Sequence, residues 1–127
     1  MSNYTQINDM ANSISKDIPN LDALLIINQN GRIIESRINQ FFEKQHDHDW
    51  LKNFAMIVSV RFPLSDFHKQ LGGLKMTINV FDDKAVVVKK TENENMVIVI
   101  VPRNEKSIRD AIFTISDEKD KFCGSQK

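Results

Sequence analysis

Residues 96–101, MVIVIV, form a run without one polar side chain, and residues 23–27, ALLII, form a second. A strand that alternates in polarity leaves one face wet, so a strand that does not alternate must be covered on both faces. Two such strands in one chain demand helices on each side of a single sheet. Neither run can cross a bilayer, since the longer, residues 96–102, is about a third of the roughly 20 residues a spanning helix needs.

The remaining patterns supply those helices. Ile7, Met10, Ala11, Ile14 and Ile18 recur at helical spacing over residues 4–18, and Pro19-Asn20 ends the pattern. Strands are expected over residues 21–28 and 32–38, joined at Asn30-Gly31, because both of those residues tolerate positive φ in a tight hairpin. The second strand is interrupted by Glu35, Ser36 and Arg37 and reads as a sheet edge. Residues 39–49 are polar, hold no repeat and read as a connection.

Residues 50–71 predict the second helix. Leu51, Phe54, Ala55, Val58 and Phe62 form one stripe, and Met56, Ile57 and Val60 lie on the far side. The β-branched Ile57, Val58 and Val60 also allow a strand over residues 54–60. Length and the stop signal Leu71-Gly72-Gly73 favour the helix, with Pro63 kinking or breaking it and Ser65 capping a continuation through Phe67 and Leu71. Three strands follow, over residues 74–81, 85–90 and 96–101, separated by Asp82-Asp83-Lys84 and Glu92-Asn93-Glu94-Asn95. Pro102 ends the last of them. Asn104 caps a final helix carrying Ile108, Ala111, Ile112 and Ile115, and the polar residues beyond Ser116 are expected to fray. The expected architecture is α+β: one domain over residues 1–116 with a polar tail, 117–127. It is a three-layer α/β/α sandwich around a five-stranded antiparallel sheet of order 2-1-5-4-3.

Charge narrows the partners. Seventeen Lys+Arg offset 17 Asp+Glu, giving a formal net charge of zero, so the chain lacks the basic excess that collects nucleic-acid phosphates. Cys123 is the single cysteine and forms no internal disulfide, which fits a reducing compartment. MSNYTQINDM has neither a basic nor an apolar segment, so no signal peptide is expected, and the cytoplasm is the expected location.

Catalytic and metal-binding patterns are thin. His46-Asp47-His48-Asp49 offers metal-ligand types, but a spacing of two on a loop is a weak signal, and Asp47 or Asp49 suits a helix cap better. Cys123 has no histidine closer than His68, itself isolated, so no nucleophile–base pair is expected. Gly72-Gly73 matches no phosphate-binding loop, and the acidic tips Asp82-Asp83 and Glu92-Asn93-Glu94 suit turns better than calcium. Trp50, Phe54 and Phe62 read as packing rather than a ligand pocket. Phe41-Phe42 cannot both face inward from an extended segment, so one of them is expected to cover a partner or the sheet edge. No metal and no cofactor is expected, and the chain is not expected to be an enzyme.

In this order of elements the sequence resembles the Roadblock family of small dynein-light-chain-type domains. ALLIINQNGRIIESRI is similar to the family's opening hairpin, LGGLKMTINVF to its Gly-Gly entry into the third strand, and AVVVKKTENENMVIVIVP to its closing hairpin. The likeness covers residues 4–115. Longin, profilin-like and PAS-like domains share a similar sheet layout. The resemblance implies a homodimer or heterodimer joined along the third strand and second helix, serving as a scaffold or regulator of a Ras-like small GTPase. The residues it implicates are Met56, Ile57 and Val60 on the helix, with Lys75, Met76, Thr77, Ile78 and Asn79 on the strand. Pro63 departs from the longer unbroken helix of the family and sets aside residues 64–71 as an interface. The alternative reading is a small-molecule sensor of PAS or profilin-like type, with a pocket between the sheet and the second helix.

Overall fold

The computed structural model describes residues 2–64 and 71–124, with side chains described for 5–63 and 71–116. The chain runs α1 (Ser2–Asp17), β1 (Ala23–Ile27), β2 (Ile33–Ile38), α2 (Gln40–Gln45), α3 (His48–Leu64), β3 (Met76–Val80), β4 (Lys84–Lys90), β5 (Met96–Pro102) and α4 (Glu105–Gly124). The strands form one sheet of order β2-β1-β5-β4-β3, every neighbouring pair antiparallel. This is the expected α+β sandwich and the expected strand order.

The unalternating runs sit where their composition requires. Leu24 pairs with Val99 and Leu25 with Ile98 at the centre of the sheet, and all four are fully buried. Residues opposed across an antiparallel ladder share a face. Leu24, Ile26, Val87, Val97, Val99 and Val101 therefore face α1 and α4, meeting Ile14, Ile18, Ala111 and Ile115. Leu25, Ile27, Val86, Val88, Ile98 and Ile100 face the other way, onto Leu51, Ala55 and Phe62 of α3 and Phe42 of α2. Each face buries about 1.5–3 kcal/mol per large aliphatic side chain, which explains why the central strands tolerate no polar residue.

Three local expectations change. The polar connection contains a helix: Asn39 accepts a hydrogen bond from the Phe41 amide and caps α2, which buries Phe42 and leaves Phe41 77% exposed. The two phenylalanines thus diverge on a helix rather than on an extended strand. The first hairpin turns at Gln29-Asn30 instead of Asn30-Gly31. The Gly31 amide donates to the Asn28 carbonyl (2.9 Å), only Gly31 adopts positive φ (+82°), and the Asn28 side chain accepts from the Asn30 and Arg32 amides. This is a type I turn followed by a left-handed residue, which matches strand twist as well as a two-residue turn does. Helix α3 is described to Leu64, with Pro63 inside its last turn. The proposed continuation at Ser65 and Phe67 lies outside the described residues, as does His68. Finally, α4 does not fray at Ser116 but continues to Gly124, through a segment rich in the helix formers Glu and Lys.

Candidate interaction surface on α3 and β3

Helix α3 is seated by aromatic packing and capping at its start. The Trp50 amide donates to Asp47 Oδ1 (2.9 Å), making Asp47 the N-cap. The His46 ring lies between Phe42 and Trp50, at centroid distances of 4.4 and 4.3 Å, and Trp50 stacks on Phe54 at 5.1 Å. His46 and Asp47 thus serve the packing and capping of the α2–α3 corner. Among the described residues no three His, Cys, Asp or Glu side chains are grouped as a metal site.

Leu51, Ala55 and Phe62 point into the sheet, and Phe54 and Val58 pack beside them. The opposite side of the helix is apolar and open. Met56 is 54%, Ile57 53% and Val60 60% exposed. These three straddle the outer ridge of the helix: Ile57 leans towards β3, lining a cleft with Thr77, Asn79 and Phe81, whereas Met56 leans towards β2 beside Gly31 and Arg32.

Strand β3 ends the sheet and pairs only with β4. It begins at Met76, so Lys75 precedes the strand, its carbonyl accepting from the Lys90 amide. Opposed to Lys89, Val87 and Ala85, the residues Met76, Ile78 and Val80 face the α1/α4 side; opposed to Val88 and Val86, Thr77 and Asn79 face α3. Met76 and Thr77 are half-buried; Ile78, Asn79 and Val80 are exposed. Val80 and Phe81, 57% and 54% exposed, extend this apolar edge beyond the expected residues. Phe81 was legible as the next α3-facing position of the alternating strand, after Thr77 and Asn79.

Helix ridge and strand edge are thus contiguous across the cleft, and no charged residue lies within Met76–Val80. The cleft encloses about 90 Å³, well under the roughly 300–1,000 Å³ of ordinary small-molecule sites. A larger open groove of about 670 Å³ lies on the other flank of α3, over β2. Among the described residues no helix is long and apolar enough to cross a membrane.

No protein-family model and no curated protein matches the sequence. Solved structures match the fold. MglB from Myxococcus xanthus is 17% identical with a TM-score of 0.71, over 96% of this chain and 90% of that one. The gliding protein MglB from Thermus thermophilus is 10% identical with a TM-score of 0.75, over 92% and 85%. A Roadblock/LC7 domain from Streptomyces avermitilis is 10% identical with a TM-score of 0.64, over 90% and 95%. The fold is that of Roadblock/LC7 domains, as the sequence resemblance implied.

Proposed function

We propose that this chain is a non-enzymatic dimerisation and adaptor module that binds or regulates a Ras-like small GTPase through α3 and β3. The observation that carries the reading is the exposed apolar ridge of Ile57 and Val60 on α3 beside an uncharged edge strand, with Phe81 on the α3 side of that edge and Ile78 and Val80 exposed on its other face. Long, apolar, unprotected edges are rare in proteins that stay apart, because each unpaired N–H and C=O invites a further strand. A second copy pairing along β3 satisfies those groups, and burying the exposed half of each large side chain contributes on the order of 1 kcal/mol. Met56, Lys75, Met76, Thr77 and Asn79 complete the proposed interface. One MglB structure of the same fold is described as a tetrameric arrangement, in keeping with a fold that associates. The GTPase assignment rests on the Roadblock likeness, and a homodimer is favoured over a heterodimer because Met76–Val80 carry no charge to repel a second copy. The 90 Å³ cleft leaves little room for a small molecule between α3 and β3, so a sensor would have to use the larger groove over β2.

Light scattering on the purified chain tests the assembly. The unmodified protein is expected to be dimeric at tens of micromolar, and Ile57→Asp or Val60→Asp to be folded and monomeric, since each places an unpaired carboxylate in the interface. A monomeric parent chain, or a dimer indifferent to both substitutions, refutes it. Calorimetric titration with Ras-like GTPases from the source cell, loaded with GDP or a non-hydrolysable GTP analogue, tests the partner; absence of binding in both states removes the GTPase assignment.

A further inference from the structure

The two faces of the sheet are unequally covered. Helices α1 and α4 share one face, whereas α3 and the six-residue α2 share the other. On that second face Ile33, Ser36 and Ile38 of β2 are only half-buried. Ile33, Ser36 and Ile38 form the floor of the open groove of about 670 Å³, and His48, Asp49, Leu51, Lys52 and Met56 form its wall. That volume matches a few side chains of a bound segment rather than a solvent nick.

Three features describe the occupant. First, β2 is the terminal strand, so its outer backbone groups pair with no strand of this sheet. Second, the strand is held rigid from behind: Arg37 Nη2 donates to Asn8 Oδ1 (2.9 Å) and Asn12 Oδ1 (2.8 Å) of α1, while Nη1 donates to Glu35 (2.8 Å). A preformed edge binds an extended segment without a large ordering cost of its own. Third, the groove carries Arg32 and Lys52 against the single carboxylate Asp49, and among the described residues neither cation forms an ion pair. The shared chemistry is that of an extended, acidic and apolar peptide.

We propose that the β2 edge and its groove dock an extended acidic segment of a partner protein, which adds as a sixth strand beside β2. Its apolar side chain sits on Ile33 and Ile38, and its carboxylates meet Arg32 and Lys52. The β-bulge between Ile26 and Ile27 interrupts the inner ladder near Ile33, so the added strand pairs along residues 35–38. This surface is at the far end of the sheet from β3 and does not depend on self-association.

Fluorescence anisotropy with the full chain tests it. The probe is a fluorescein-labelled peptide of about six residues, a typical strand length, with Glu, Val and Glu at alternate positions and Thr between them. Saturable binding is expected, weakened roughly tenfold by Arg32→Glu or Lys52→Glu, abolished by N-methylation of alternate peptide bonds, and unchanged by Ile57→Asp. Circular dichroism checks that the charge-reversed chains fold; both positions are at the protein surface. Equal affinity for the peptide with Lys in place of Glu, indifference to both charge reversals, or no saturable binding overturns the proposal. So does association with phosphatidylserine vesicles that the charge reversals abolish when the peptide does not bind, which assigns the cations to a lipid surface.

Discussion

Gly31→Ala is expected to loosen the seat of α3. A Cβ at Gly31 lies 2.7 Å from Ser59 Oγ, 2.8 Å from Met56 Sδ and 3.3 Å from Met56 Cα, so the hairpin turn rests directly on the helix backbone. Two costs combine. The φ of +82° costs an L residue about 1–2 kcal/mol, and forcing a methyl group into a filled contact costs a further 1–3 kcal/mol or so. Gly72 separates them, because its φ is +91° and no described residue lies within 4 Å of its Cβ position. Gly72→Ala is therefore expected to lose about 1–2 kcal/mol and Gly31→Ala about 2–5 kcal/mol. Guanidinium unfolding followed by fluorescence of the single tryptophan, Trp50, measures both, since its stacking on Phe54 reports α3 directly. Adding Ser59→Ala to Gly31→Ala removes the 2.7 Å contact and leaves a flexible thioether to rotate aside, so roughly 1 kcal/mol should return. Equal losses at Gly31 and Gly72 would refute the close-approach account and leave only backbone strain.

The second closing turn offers the reverse experiment. Glu94 occupies the same position in its turn as Gly31 does in the first, with φ +69°, its amide donating to Thr91 and the Thr91 amide to Asn95. Glu94→Gly should stabilise by about 0.5 kcal/mol, the relief of left-handed strain exceeding the loss of an exposed ion pair with Lys90; a lower midpoint in the same unfolding assay contradicts this. At the start of α4 the Ser107 amide donates to Asn104 Oδ1 at 2.8 Å, so Asn104→Ala should cost about 1 kcal/mol, read as a thermal shift of roughly 3–6 °C. Retention of the parent melting temperature would show that the cap contributes nothing.

Legibility followed the range of the interaction involved. MVIVIV could only be a covered central strand, and it became β5 in the middle of the sheet; Met56, Ile57 and Val60 could not face the sheet together with Leu51, Ala55 and Phe62, and they are the exposed ridge of α3. Helix α2 escaped because six residues are too few for a period to repeat, and its Asn39 cap is a cue only beside a helix already suspected. The hairpin was located correctly but shifted by one residue, because Asn-Gly fits two turn types and the Asn28 side-chain bonds to Asn30 and Arg32 select between them. The β2 groove had no local signature at all. Ile33, Ser36 and Ile38 read as an ordinary edge strand, and only the placement of α3 over the middle of the sheet leaves them uncovered.

That placement makes the two edges chemically different. On β3, no charge interrupts Met76–Val80, so a second copy brought alongside meets neither repulsion nor an unpaired ion. On β2, the groove carries Arg32 and Lys52 with one Asp49, so its lining is net positive. A net positive lining disfavours a basic segment, while an acidic strand from a different protein meets charges of opposite sign. The proposed self-association at β3 and the proposed capture of an unlike, acidic segment at β2 thus share one origin: a single long helix seated over the centre of a five-stranded sheet, flanked by one uncharged edge and one cationic groove.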